Sequence, residues 1–539
     1  MKKLLSSGYF PSELPPPFHT TEFAQHITST PLNAPYTLSA TREPSVTSRP
    51  VTYNLARPGK LRRTLSIPNP VNFYLLAAML SALRPVLTQC YSGSNQALSK
   101  PRRTLLRQTD KRAYEWTHPM SSIQDRRSDI RTGMRYVLQT DINNFYPSIY
   151  THSIPWALHG KAHSQSHIGW NVLQGNNIDR LIQISQQKQT KGIPIGPDTS
   201  YLIAEVILST LDRQLVSSIG SNYFRYMDDY EFAFKTHTQA ETGLSAFQES
   251  LGTYELVANE AKTRIIELPA PLDTRWTRTL RQLSLAGGAR SANRQKALLI
   301  SLFDLSLDLW HQFPDQAVIK YTIIKTAGTV IDSNNWKLYQ ELLFQWALTE
   351  PAALPAVLDI LATYNGAGYQ VSTNRLSDVL FLIVENNASR GHTSEVAWAL
   401  WGHILFNIPL DSSATTIIGR IDNSVIALLA LDARSKQLIP TTADVSTWLS
   451  HMSASDLYSE HWLLSYEARV KKWLAPIGSK EYIKTVSGFG TLGKAGVSFY
   501  DTNKSSSHTP NSTKMLKLRL AAIAQSTEDY TIVRPDLYT

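Results

Sequence analysis

FRYMDDYEF, residues 224–232, sets two adjacent carboxylates, Asp228 and Asp229, between two short runs of aromatic and apolar residues. That pattern reads as two strands joined by a tight hairpin with the acids at its tip. Asp is common in turns, so the hairpin alone carries no chemistry. Two carboxylates this close repel, and they are best tolerated at a solvated tip or around a cation. Working outward, YVLQT (136–140) is a short strand leading into Asp141. Helical patterns follow at about 177–190 and 199–217. Beyond the hairpin come a helix near 238–252 and two short strands around YELVA and TRIIEL. Strand, helix, hairpin, helix, strand is an α+β order. If the first strand and the hairpin are sheet neighbours, Asp141 reaches the hairpin tip.

Three carboxylates converging there would bind two Mg²⁺ ions through hard oxygen ligands, completed by substrate phosphates. Such a pair stabilises the attacking and leaving oxygens in phosphoryl transfer. Between the acids lies GIPIGPDTSYLIAEVIL (192–208), a Gly-Pro turn opening a helix. It lets backbone approach a flat, anionic substrate. NEAKT (259–263) places Lys262 after the hairpin, where a cation could neutralise a leaving pyrophosphate. Singly, each has a structural reading as a cap or a solvated charge. Their order and separation point to one site.

The charge distribution agrees. The chain has 53 Lys/Arg against 43 Asp/Glu, a formal +10. Residues 57–135 hold fifteen Lys/Arg and four acids, a net +11, which leaves −1 for the rest. An excess confined to one window predicts a polyanion-facing surface. Arg62 and Arg63, in KLRRTLSIPNP, are candidates to grip a triphosphate, and Arg102, Arg103 and Arg112 to line a nucleic-acid channel. At 42% apolar and 18% charged residues the chain is no disordered polymer. Its one cysteine, Cys90, excludes an internal disulfide and a Cys-rich zinc site and suits a reducing cytoplasm. MKKLLSSGYF lacks the apolar run of a secretory leader. Val71 to Cys90 is apolar but contains Asn72, Arg84 and Pro85, so it reads as a buried helix and no membrane span is expected.

The organisation expected is a Pro/Ser/Thr-rich arm over 1–56, extended over the body or partly disordered, then a basic region over 57–135 with a helix near 71–83. A mixed α+β region over 136–275 comes next, followed by a helical region over 276–480 and a loop-rich tail over 481–539 with one late helix near 513–525. KALLISLFDLSLDLW, WKLYQELLFQWALTE and SEVAWALWGHILFNI show helical periodicity with short polar turns between, as in a helical-repeat array or an irregular bundle.

On these motifs the sequence resembles a reverse transcriptase. The resemblance implies a right-hand polymerase palm and fingers followed by an all-α, helical-repeat-like C-terminal domain. It makes Asp141, Asp228 and Asp229 the catalytic triad, with the Ile142 backbone as a further metal ligand. Tyr146 becomes the aromatic gate against a ribose 2′-OH. Pro194, Ile195 and Gly196 become the nucleotide-supporting turn, and Lys262 the palm lysine near the triphosphate. YPSIYTHSIPWALHGK (146–161) resembles bacterial abortive-infection, defence-associated enzymes of the AbiK type. That implies DNA synthesis from dNTPs with two Mg²⁺ (Mn²⁺ as a substitute); no membrane partner is expected. A DNA product joined to a tyrosine and a homo-oligomer are implied as well. WALWGHILFNI and EHWLLSYEA (460–468) also resemble this group, with no chemistry assigned.

One departure bears on templating. Many templated enzymes have Gln where this turn has Ile195, and Ile cannot donate a hydrogen bond toward an incoming nucleotide. Two rivals stand beside untemplated synthesis: copying of a bound noncoding RNA, and a non-catalytic module that binds nucleic acid or phage protein. Elsewhere the bland reading holds. His152 and His159 read as structural, Glu205 and Asp212 as ordinary helix charges, and Trp156, Trp336, Trp346, Trp398 and Trp401 as core. None of the 24 tyrosines is singled out as a primer.

Overall fold

The computed structural model describes residues 1–29, 32, 46–59, 61–108, 111–283, 285, 291–327 and 329–504. The helix expected near 513–525 lies outside them.

A four-stranded antiparallel sheet of order β6-β7-β5-β8 organises the region around the acids: β5 (Tyr136–Asp141), β6 (Tyr223–Tyr226), β7 (Asp229–Phe234) and β8 (Arg264–Glu267). Alternation along the strands separates two faces. Leu138, Tyr223, Tyr230 and Phe232 enter the main core, where Phe247 lies against Tyr230 and Phe232 at ring distances of 4.9 and 5.6 Å. Val137, Phe224, Tyr226 and Ala233 enter a smaller core with Leu98 and Ile130. YELVA forms no strand. Tyr254 and Leu256 donate back to the Leu251 carbonyl, Glu255 takes a positive φ, and only Ala258 bridges to Ile142.

Two small hairpins come earlier in the chain, β1 (Val51–Ala56) with β2 (Arg62–Ile67), and β3 (Pro101–Arg103) with β4 (Tyr114–Trp116). The first ten helices run α1 (Lys2–Ser7), α2 (Thr21–Ser29), α3 (Pro70–Ala82), α4 (Arg84–Ser92), α5 (Ser122–Arg131), α6 (Phe145–Ser148), α7 (Ser153–His159), α8 (Lys161–Ser166), α9 (Gln174–Ile184) and α10 (Asp198–Ile219). Over its described residues the expected extended arm is instead partly helical and built into the core. Leu4, Leu5, Tyr9, Phe10 and Phe23 are buried, and Tyr9 stacks on Phe73 of α3 at 3.9 Å. The apolar residues dispersed among its prolines supply the surface that anchors it.

After α11 (His237–Gly252) and β8, the described residues hold helices and turns with no further strand. These helices are α12 (Arg275–Gln282), α13 (Ala292–Gln312), α14 (Val318–Ala327), α15 (Trp336–Thr349), α16 (Leu354–Gly366), α17 (Thr373–Ala388), α18 (Thr393–Leu405), α19 (Ser412–Gly419), α20 (Ser424–Ser435), α21 (Ser446–Leu449), α22 (Trp462–Val470) and α23 (Phe489–Ala495). Alternate helices stack: α14, α16, α18, α20 and α22 form one row, and α15, α17 and α19 the other. The array meets the first hairpin directly, because the Asn54 and Ala56 N–H groups donate to Thr393 Oγ1 and Ser394 Oγ of α18 at 2.6 and 2.9 Å. Among the described residues no single helix is long and apolar enough to cross a membrane. The pair α3 and α4 passes only by combined length and composition and is bent by 65°.

Candidate active site

Asp141 ends β5 and lies directly opposite Asp229 on β7, while Asp228 occupies the two-residue turn between β6 and β7. The Ile142 N–H donates to the Asp228 carbonyl at 3.2 Å, and the Asn259 N–H to the Asp141 carbonyl at 2.8 Å, which fixes strand end, turn and the NEAKT segment together. Lys262 reaches back from the short 3₁₀ turn Glu260–Lys262 and pairs with Asp141 Oδ2. Asp141 is only 4% exposed, and its Oδ1 is buried without a hydrogen-bond partner.

The electrostatics follow from this crowding. Burial, reinforced by the charges of Asp229 and Asp141, pushes the Asp228 carboxyl up to about 6. Burial also raises Asp229, with Lys262 opposing and Asp141 adding to the shift. Lys262 is held above its usual range although burial opposes it, because Asp141 hydrogen-bonds it and Asp229 and Asp228 attract it. Clustered acids that resist ionising together, with one buried oxygen lacking a partner, fit hard divalent cations. Asp141, Asp228 and Asp229 are the residues that would hold them.

The hairpin tip is braced from beneath. Arg225, fully buried on β6, donates through Nε to Asp212 at 2.7 Å and through Nη1 to Glu205 at 3.1 Å, both on α10. Its Nη1 also reaches the Met227 carbonyl at 3.4 Å, and the Met227 N–H donates to Ser99 Oγ at 2.6 Å. Glu205 and Asp212 are therefore not ordinary helix charges but counter-ions for a buried guanidinium. An Arg inside the apolar run YFRYM is the sequence signal for such partners.

Tyr146 is half-buried on α6, edge-on to Phe145, and its carbonyl accepts from the Ile193 N–H at 3.1 Å. Burial first, then the Asp228 charge, raises its phenol. Pro194 is buried, and the Ile195 carbonyl accepts from the Ser66 N–H of β2 at 2.8 Å, which ties the turn to the first hairpin. Gly196 has φ +123°, and a Cβ there would lie 2.6 Å from Pro11 Cγ. Both conditions demand glycine.

The basic residues divide. On β2, Arg63 is exposed and its charge acts on Tyr146. Arg57, which no motif marks, feels Arg63 and Asp228, and burial followed by Arg63 lowers its guanidinium. Its signal was its place within the basic window. Arg57 and Arg63 also line a cavity of about 830 Å³ with Phe10, Lys320 and Trp398. Arg62 is engaged elsewhere than expected: it pairs with the buried Glu395 of α18, 2.8 Å from Nη2 to Oε2, and with Asn54 at 2.9 Å. Strand alternation sends it away from Arg63. Arg112 is likewise a clamp rather than a free channel cation, donating to Asp198 at 2.9 Å, to the Gly196 carbonyl at 2.7 Å and to the Phe10 carbonyl at 2.5 Å. Arg102 remains largely exposed, 3.8 Å from Glu115. Arg103 is exposed beside it. His152 bonds Asp179 at 2.5 Å, and His159 Nε2 accepts from the Gly175 N–H at 3.1 Å.

Residues 58–295 match the family model described as reverse transcriptase (RNA-dependent DNA polymerase). No curated protein matches the sequence. The solved structures to which the chain is similar include three of telomerases from two Candida species. One is apo telomerase from Candida tropicalis truncated from the C-terminal domain, at 12% identity over 42% of this chain and 52% of that chain, with a TM-score of 0.30. Telomerase from Candida albicans in complex with the TWJ fragment of telomeric RNA matches at 12% identity over 65% and 64%, TM-score 0.28. The corresponding Candida tropicalis complex matches at 11% over 67% and 65%, TM-score 0.30. The chain spans between half and two thirds of those chains, and likeness at this level says nothing of activity. The segment matched to the family model contains the three aspartates, the turn at 192–196 and Lys262, and it is similar to nucleotidyltransferase domains of the RNA-directed DNA polymerase family.

Proposed function

We propose that this chain is a DNA polymerase that joins dNTPs by two-metal nucleotidyl transfer, without a nucleic-acid template and primed on a protein tyrosine, in cytoplasmic antiphage defence of the abortive-infection kind. The observation that carries the polymerase reading is the register of β5 against β7, which sets Asp141 opposite Asp229 beside Asp228. Mg²⁺ held there would supply charge for the attacking and leaving oxygens. A hydroxyl oxygen bonds the α-phosphorus, its proton departs, and the bond to the β-phosphate oxygen breaks to release pyrophosphate. Lys262 is placed to balance the charge of that pyrophosphate, and Arg57 and Arg63 to hold the triphosphate. Tyr146 packs beneath the sugar.

The untemplated, protein-primed part of the reading is supported by Ile195, which offers no polar side-chain atom beside the nucleotide, and by the resemblance of residues 146–161. The same resemblance supports a homo-oligomer. The family description, an RNA-dependent polymerase, favours a second reading, the copying of a bound RNA. Purified protein incubated with labelled dNTPs and Mg²⁺, without added nucleic acid, separates the two. Label that is DNase-sensitive, RNase-resistant and released from protein only by protease is expected. Incorporation that needs added RNA, or that disappears after RNase pretreatment, would overturn the untemplated reading.

A further inference from the structure

Trp116, at the end of β4, is a large aromatic side chain left 37% exposed beside the aspartates. Its ring makes a T-shaped contact with Tyr226, centroids 5.1 Å apart and planes at 73°. Tyr226 lies directly opposite Asp229 in the register of β6 and β7, and Asp229 directly opposite Asp141 in that of β7 and β5. Residues opposite one another in an antiparallel pair share a face of the sheet. Tyr226, Asp229 and Asp141 therefore stand on one face, and Trp116 covers the first of them there. In either sense of a T-shaped contact, at least one face of the indole stays clear of its partner ring.

Backbone bonds hold the indole in place. The Thr117 N–H donates to the Lys100 carbonyl at 2.9 Å, and the His118 N–H to the Leu98 carbonyl at 3.0 Å. The Leu98 N–H in turn donates to the Arg225 carbonyl of β6 at 3.0 Å, which ties the second hairpin to the strand leading into the acids. Within that hairpin Pro101 is opposite Trp116 and Arg103 is opposite Tyr114. Alternation thus puts the exposed Arg103 on the Trp116 face, as a diagonal neighbour at about 7–8 Å, within reach of long side chains. An open aromatic face with a guanidinium one step along suits the base and phosphate of a single strand.

The order of the sheet, β6-β7-β5-β8, separates the two ends of the reaction. Lys262 pairs with Asp141 and Tyr146 follows β5, so the groups assigned above to pyrophosphate and sugar gather toward β5 and β8. Trp116 and Tyr226 flank the aspartates at the opposite edge, on β6. In an in-line displacement the attacking oxygen enters opposite the leaving group. The attacking 3′-hydroxyl therefore approaches from the β6 side, where Trp116 stands. A strand extended without a template has no paired base to hold its end, whereas stacking on an aromatic ring holds any base, because every base has a π-face.

Resting on the polymerase reading above, we propose that Trp116 is the platform on which the 3′-terminal base of a single DNA strand stacks, with Arg103 on the adjoining phosphate.

The test is binding of a short single-stranded oligodeoxythymidylate carrying 2-aminopurine at its 3′ end, whose fluorescence falls on stacking. Mg²⁺ and dNTPs are left out, so the result does not depend on whether the protein polymerises. Wild type should quench the 3′ label more strongly than the same label at the 5′ end. Trp116→Leu keeps an apolar cover on Tyr226 but has no ring, and should bind about tenfold more weakly. Trp116→Phe should keep most of the binding, and melting curves check that both variants are folded. Should Trp116→Leu fail to fold, the comparison of 3′ and 5′ labels on wild type decides alone. Stacking of the 3′ label in a protein that incorporates no dNTP would support the platform and remove the polymerase reading. Equal quenching of the two labels by wild type, equal binding by the folded Leu and Phe variants, or quenching that needs an annealed complementary strand would overturn the proposal.

Discussion

At the scale of single residues, Asp228 dominates. Its carboxyl, raised to about 6 in the folded chain against 3.8, binds a proton more tightly when folded than when unfolded. Without added Mg²⁺, stability is therefore greatest below about 4 for this group and falls as pH rises through about 6. Asp228→Asn should remove that slope and stabilise the Mg²⁺-free protein at neutral pH by about 1–2 kcal/mol, a figure reduced for the partial exposure of the group. Melting curves from pH 4 to 8 check it, and parallel slopes for wild type and variant would refute it. Tyr146→Ala should relax discrimination against ribonucleotides while lowering deoxynucleotide use modestly. The readout is the ratio of ATP to dATP incorporation, in which each ~1.4 kcal/mol is tenfold. A ratio that stays fixed in a folded, active variant removes Tyr146 from the sugar site. The aspartates and Lys262 were legible because motif order brings them together through local strand pairing. Arg62 was not, because its partner Glu395 lies 333 positions away and periodicity says nothing about such pairs.

Among the elements, β6 and β2 show how placement is enforced. Arg225 ties β6 to α10 through Glu205 and Asp212, all three wholly out of solvent. Arg225→Ala leaves two carboxylates buried without their cation, so unfolding should be easier by about 3–5 kcal/mol. Chemical denaturation measures this, and a change below about 1 kcal/mol would show that the triad does not brace the hairpin. On β2 the alternation of Arg62 and Arg63 predicts two different phenotypes. A double-mutant cycle of Arg62→Ala with Glu395→Ala should give a coupling of about 0.5–3 kcal/mol in stability. Arg63→Ala should instead raise the KM for dNTPs with stability little changed. The converse pattern would reverse the assignment of the two side chains. The hairpin, β5 and the long helix after the Gly turn were readable from period and punctuation. YELVA was not, because Glu255 takes a positive φ in the turn that ends α11, and alternation over five residues cannot reveal that.

Over the whole molecule, the charge confined to residues 57–135 proves to be partly internal wiring. Arg62 and Arg112 are held by buried carboxylates, whereas Arg102 and Arg103 remain exposed on β3. Replacing Arg102 and Arg103 with Ala should therefore weaken nucleic-acid binding and reduce its log–log salt slope by about 1–2. An unchanged slope would make them merely solvated. The N-terminal residues illustrate the limit of compositional reading: Pro and Ser suggest a loose arm, yet Leu4, Leu5, Tyr9 and Phe23 pack it into the common core. The most direct measurement is incorporation of labelled dNTPs with Mg²⁺ by wild type, Asp141→Asn and Asp228→Asn, each checked by its melting curve. Removing one oxygen charge from a two-metal site should lower incorporation at least a thousandfold, on the order of 4 kcal/mol or more in the barrier, in variants that stay folded. Incorporation near the wild-type rate by either folded variant would contradict the assignment of these carboxylates as the catalytic centre.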